Sequence, residues 1–232
     1  MDAQTEKLID QRLDELEALG RPIKRYNVRE RIKQRFADLE EMGIRMCQSP
    51  YELADVYGAL SNCLHDNYVE IGVAAGGTLW MGAMVVKTGG LIIGIDNYCE
   101  AKHNYPDSAK KVVSKLAGKY DVRLLTHKPS GELVQEVEEL LKGAGIDHLH
   151  IDGSHTYEGV KADFENYGPL VKPGGLVQFH DIITTNATKQ GPCGVPKYWA
   201  ELKEKYPGRH REVVQPGGSI FGIGLIRMPE EG

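Results

Sequence analysis

Tyr68-Val69-Glu70-Ile71-Gly72-Val73-Ala74-Ala75-Gly76-Gly77-Thr78 reads as a short buried strand, a turn of small residues and the start of a helix. Glycines let a backbone pass close to a ligand, and a helix start offers free N–H groups. Outward from this point strand and helix alternate. The pattern predicts helix over 78–86, strand over 91–96, helix over 108–116, strand over 122–125 and helix over 131–143. It continues with strand over 148–152, helix over 157–167 and strand over 176–179. Such alternation implies a parallel sheet covered on both faces, and near-continuous apolar strands fit that burial. The tail breaks the rhythm: a helix over 195–205 precedes two strands, 211–215 and 219–227, joined by Pro216-Gly217-Gly218. That hairpin makes the last strand antiparallel to its neighbours.

Before residue 47 the composition differs. Residues 1–46 hold ten Lys/Arg and ten Asp/Glu, against 61 such residues in all 232. This marks a helical extension, residues 1–46, ahead of a body over 47–232. Asp2 is placed to cap a helix with the stripe Leu8, Ile9, Leu13, Leu16, Leu19, and Gly20 with Pro22 to end it. Asn27 with Glu30 has the spacing of a capping box for a second helix, and Ser49-Pro50-Tyr51-Glu52 opens a third, over 50–64. Residues 21–35 carry seven basic side chains and one Glu, either an anion patch or a solvated helix face balanced by nearby acids. The extension is expected to act as a lid or a dimer contact, since leucine stripes favour a homodimer or higher oligomer.

Composition excludes several classes. A net charge of −5 and a pI near 5.9 argue against a dedicated nucleic-acid binder. No apolar run reaches the roughly 18–20 residues of a membrane span, and the charged first 20 residues carry no secretory signal, so a cytoplasmic protein is expected. Cys47, Cys63, Cys99 and Cys193 are scattered, as free thiols in a reducing compartment are.

The glycine turn is not G-x-G-x-x-G and lacks the lysine of a phosphate loop. Asp96, at the tip of the second strand, is placed to accept both hydroxyls of an adenosine ribose. The alternative for Asp96 is a turn or cap residue. Glu70, Asp96 and Asp152 all fall at strand carboxyl ends, where open α/β sheets bind ligands.

Glu70-x-Gly72-x-x-x-Gly76, Asp96, the run from His150 to Asp163, Pro169 to Gly175 with His180-Asp181-Ile182, and Gly194 to Trp199 together resemble the class I S-adenosylmethionine-dependent methyltransferases. Among these the chain is most similar to the methyltransferase domain 24 family, over roughly residues 50–228. The resemblance implies a doubly wound, seven-stranded, Rossmann-like α/β sheet with its last strand antiparallel. It implies S-adenosylmethionine as cofactor: Glu70 orienting its methionine end, Gly72 and Gly76 beneath it, Asp96 on the ribose, Ser130 at the adenine and Asp152 beside the reactive methyl. Metal-assisted O-methyltransferases are related. By that likeness Asp152, His180 and Asp181 would hold a divalent metal, Mg²⁺ in the family. His180 departs from the usual oxygen ligand, because imidazole suits Zn, Fe or Ni better.

The same likeness makes His155 a candidate general base. A histidine near pKa 6.5 lies about 3.5 units below a phenol near 10, a gap of roughly 5 kcal/mol. An aliphatic alcohol taken as water-like lies about 9 units away, roughly 12 kcal/mol. His155 therefore suits a phenol or enol, and a sugar hydroxyl needs further help. The expected function is methyl transfer to a hydroxyl of a small molecule. The alternatives are an RNA-directed methyltransferase and a non-catalytic, cofactor-binding regulatory protein. Residues 184–194, with two glycines and a proline, are long enough for an active-site flap.

Overall fold

Apolar strands that bury both faces need cover on both faces, and the chain supplies it with eight helices among its described residues. A computed structural model describes residues 1–19, 27–60, 63–99, 104–126, 128–183, 187–188, 191–217 and 221–230. The strands are β1 (His65–Ile71), β2 (Val86–Asp96), β3 (Asp121–Thr126), β4 (Ile146–Ile151), β5 (Val171–His180), β6 (Ala187–Thr188), β7 (Gly191–Pro192), β8 (His210–Val213) and β9 (Ile223–Arg227). Seven of them form one sheet in the order β3-β2-β1-β4-β5-β9-β8. The strands from β3 to β5 pair in parallel, and β9 runs antiparallel to both β5 and β8. This is the expected seven-stranded α/β sheet with its antiparallel closing strand.

The helices are α1 (Ala3–Ala18), α2 (Val28–Glu41), α3 (Pro50–Leu60), α4 (Gly77–Gly82), α5 (Tyr105–Leu116), α6 (Val134–Leu141), α7 (Tyr157–Tyr167) and α8 (Val195–Lys205). Local chemistry explains their starts. Asp2 accepts from Thr5 N at 2.8 Å, and Thr156 accepts from Gly159 N at 3.0 Å. Pro106 and Pro196 sit in the first turns of α5 and α8, where their missing N–H costs nothing.

One capping expectation fails. Asn27 is left-handed (φ 67°) and its side chain makes no cap bond, since a cap needs extended backbone to turn its oxygen inward. The third helix starts at Pro50 as expected, and the Ser49 hydroxyl before it donates to Gln215 Oε1 at 2.7 Å. The third helix is described only to Leu60, short of residue 64. The segment 184–194 contains the β6–β7 pair, and residues 184–186 and 189–190 lie outside the described residues.

The extension packs onto the sheet domain. Ile9, Leu13 and Leu16 are buried in one cluster with Leu53, Val56 and Tyr57 of α3 and with Val213 and Ile223. Burying each such side chain stabilises by about 2 kcal/mol. The stripe that suggested a dimer contact is thus covered within the chain, while Leu19 at its end remains 66% exposed. Arg12 of α1 and Arg211 of β8 both pair with the fully buried Asp55 of α3. The basic run is also used internally: Arg29 pairs with Asp10 and Asp14, Lys33 with Glu6 and Asp10, and Arg35 stacks 4.1 Å over Trp80. Arg21, Lys24 and Arg25 lie outside the described residues.

Candidate active site

Register brings the site together. Ile71 pairs with Ile151, so Gly72 and Asp152 emerge side by side. Ile151 pairs with Phe179, so His180 emerges on the other flank of Asp152. Gly72 has φ +91°, and a Cβ there would lie 1.9 Å from the Asp152 carbonyl oxygen. Only glycine allows this approach. Gly76 (φ +88°) starts α4, where a Cβ would meet Val112 at 3.1 Å.

Asp96 ties the turn to the end of β2. Its two oxygens accept from Ala74 N and Tyr98 N, each at 2.7 Å. Each carboxylate oxygen keeps a second acceptor position. Glu70 lies fully buried beneath the turn, accepting from Thr78 Oγ1 and the Tyr68 hydroxyl, both at 2.6 Å. Ser130 opens a short turn after β3; its hydroxyl donates to Asp163, and its carbonyl accepts from the Tyr167 hydroxyl at 2.6 Å. Burial pushes the Asp163 carboxyl up to about 6, against the Ser130 hydrogen bond.

Beside Gly72 four titratable side chains interlock. His180 Nδ1 lies 3.2 Å from Asp152 Oδ1 and 3.5 Å from Asp181 Oδ1. His155 Nε2 lies 3.0 Å from Asp181 Oδ2 and 3.5 Å from Asp152 Oδ1. Asp181 holds a left-handed backbone (φ 64°), which aspartate tolerates and most residues resist. Gln48, from the chain between α2 and α3, donates its Nε2 to Asp152 Oδ2 at 2.7 Å. The Phe221 ring covers His180, with centroids 5.4 Å apart.

The electrostatics follow from this packing. Hydrogen bonds to Asp152 and Asp181 push His155 up to about 10. Burial works against protonation of His180, but the Asp152 charge overcomes it and holds the imidazole well above its ordinary value. Burial likewise opposes the ionised forms of Asp152 and Asp181, yet the two histidines keep both carboxyls below the usual range. The two carboxylates and the two imidazoles thus favour one another's charged forms.

Asp152, His155 and Asp181 each offer a ligand atom, all within 4.8 Å of one another. His180, which the likeness offered as the third ligand, lies beside this set with its Nδ1 on the same two carboxylates. Two oxygens and a nitrogen fit Zn, Fe or Ni better than Mg²⁺, which prefers oxygen alone. An imidazole must also lose its proton to ligate.

Six sequence candidates therefore line the carboxyl edge of the sheet: Gly72, Gly76, Asp96, Asp152, His180 and Asp181, with His155 three residues beyond Asp152. Glu70 sits below them, and Ser130 stands at the far end, after β3. Gln48, Asp163 and Phe221 escaped the sequence. Gln48 is 104 residues from Asp152 and belongs to no motif.

Residues 69–182 match a family model described as a methyltransferase domain. An uncharacterized protein of Acanthamoeba polyphaga mimivirus is 32% identical over 166 residues, which cover 71% of this chain and 74% of that protein. An uncharacterized protein of Sinorhizobium fredii is 42% identical over 97 residues, 42% of this chain, and the match spans only 10% of its length. Among solved structures, the O-methyltransferase TomG from Streptomyces achromogenes, involved in tomaymycin synthesis and solved in complex with SAM, has a similar fold. The TM-score is 0.56 at 14% identity, covering 85% of this chain and 89% of that one. No helix among the described residues is long and apolar enough to cross a membrane.

Proposed function

This chain belongs to the methyltransferase domain family, the class I S-adenosylmethionine-dependent methyltransferases, and we propose that it methylates a hydroxyl oxygen of a small molecule. The observation that carries the oxygen assignment is the cluster of Asp152, His155, His180 and Asp181 directly beside the Gly72 turn. When bound, S-adenosylmethionine supplies a methyl on a cationic sulfur, ready for in-line displacement. The chain's contribution is alignment and proton handling. Gly72 and Gly76 keep the turn open, Asp96 receives the ribose, and Ser130, braced by Asp163 and Tyr167, receives the adenine. Asp152 and Asp181 orient His155, which takes the acceptor's proton as the new oxygen–carbon bond forms.

His155 must be neutral to do so, and its carboxylate partners work against that. A conjugate acid near 10 matches a phenol near 10, so transfer from a phenol is close to thermoneutral once the neutral form is present. This favours phenols and enols over sugar hydroxyls. If a divalent cation binds, Asp152, His155 and Asp181 are the residues that would hold it, and it would polarise the acceptor oxygen. In this reading residues 47–232 carry the cofactor and residues 1–46 form an extension clamped to it through Asp55.

Calorimetry with S-adenosylhomocysteine tests the cofactor assignment. The wild type binds, and Asp96→Ala binds about tenfold more weakly, the loss of one charge-assisted contact. Equal affinities would remove Asp96 from the ribose.

A further inference from the structure

A cavity of about 840 Å³ lies against the cluster, bounded by the start of α1, the end of α2, the chain over 43–50 and Phe221. That is the size of a small-molecule site. Two lining side chains, Gln48 and Phe221, also touch the cluster: one donates to Asp152, the other covers His180. They stand between the cavity and the acids. Met46, on the same wall, packs on Gly77 at the start of α4, so this segment lies over the proposed cofactor turn.

The lining has a definite chemistry. Phe36, Leu39, Ile44 and Phe221 make an apolar surface. Arg45 is its one Lys or Arg side chain and has no hydrogen bond or ion pair among the described residues. The two lining acids are engaged: Asp2 caps α1, and Glu40 carries the amino group of Met1. The cavity therefore suits an apolar body with an anionic group. Behind the Gln48 wall, Asp152 Oδ2 accepts from the Gln48 amide, an N–H donor standing where an acceptor's O–H donor would go once Gln48 moves aside.

We propose that this cavity is the acceptor site, that it takes an aromatic hydroxy acid, and that Gln48 is a latch. The acceptor's ring lies on Phe221 and its acid group faces Arg45; its hydroxyl first replaces the Gln48 amide as the donor to Asp152 and then passes its proton to His155 as the methyl transfers. The proposal rests on the methyl-transfer reading above and adds the substrate class and a specificity-determining residue. It also gives residues 1–46 a purpose, since the start of α1 and the end of α2 form the outer walls.

The test is equilibrium binding to the protein saturated with S-adenosylhomocysteine, with 3-hydroxybenzoate, 3-hydroxybenzamide and benzoate as probes. The wild type is expected to hold 3-hydroxybenzoate about tenfold tighter than the neutral amide, and Arg45→Ala to abolish that preference. Gln48→Ala is expected to bind 3-hydroxybenzoate severalfold tighter and benzoate unchanged, because only the hydroxyl competes with the latch. Weaker 3-hydroxybenzoate binding by Gln48→Ala would overturn the latch, and equal wild-type affinity for acid and amide would overturn the substrate class. The wild-type comparison holds even if a variant fails to fold. Failure of S-adenosylhomocysteine itself to bind would instead strike the cofactor reading, whereas its binding with no probe bound would overturn the acceptor site alone.

Discussion

Glu70 and Asp152 stand at the ends of neighbouring strands, each beside a histidine, and they are built in opposite ways. Glu70 has His150 Nδ1 at 3.6 Å, and Asp152 has His180 Nδ1 at 3.2 Å. Both Glu70 oxygens are filled by hydroxyls two and eight residues away in sequence, Tyr68 and Thr78. The Asp152 oxygens are filled from three separate segments by Gln48, His155 and His180. Local partners that arrive with the fold make Glu70 a fixture beneath the turn. Two of the Asp152 partners, Gln48 and His180, come from far along the chain, and they make it an assembled site whose contacts can be exchanged.

The largest contrast is in pH dependence. His155 is protonated below about 10, and its neutral fraction grows tenfold per unit up to that point. Initial rates of methyl transfer to a phenol are therefore expected to rise about tenfold per pH unit from pH 7 and to peak near 10, where the phenol itself ionises. A flat profile would break the assignment of His155 as the proton acceptor.

Stability separates the two carboxylates next. Glu70→Ala strands two buried hydroxyls and is expected to cost about 3 kcal/mol in chemical denaturation. Asp152→Asn lets the neighbouring histidines shed their protons and keeps Asp181, so about 1 kcal/mol is expected. Equal losses would erase the distinction between fixture and assembled site.

Asp163 is an intermediate case, a buried acid with a single hydroxyl partner. Its folded value near 6 lies above the ordinary 3.8. The fold therefore favours the protonated form, and stability is full below about pH 4 and falls as pH rises through 6. About 2 kcal/mol of that fall should be absent from Asp163→Asn, read as the difference between denaturation curves at pH 4.5 and 7. Asp96→Ala acts on binding instead, and its tenfold loss of cofactor-product affinity corresponds to about 1.4 kcal/mol.

Much of this was legible in the sequence because it is local. Strand, glycine turn and helix follow one another within Tyr68–Thr78, and a parallel sheet obliges the acids after each strand to share an edge. His155 follows from Asp152 through the family likeness, which puts a base three residues on. What was not legible depends on distant packing. Gln48 reaches Asp152 through the placement of α2 and α3, and nothing around it marks it out. The leucine stripe of α1 looked free for a partner chain because Asp55, which anchors that helix through Arg12, lies in another element. Asn27 had the right spacing for a cap and the wrong backbone.

The most direct test of the central claim is methyl transfer from isotopically labelled S-adenosylmethionine by wild type and His155→Ala, with S-adenosylhomocysteine affinity measured on both. The account predicts label on an oxygen of the acceptor, turnover at least about a hundredfold lower in the variant, and unchanged affinity. Equal turnover by the two proteins, or label on nitrogen or carbon, would contradict it.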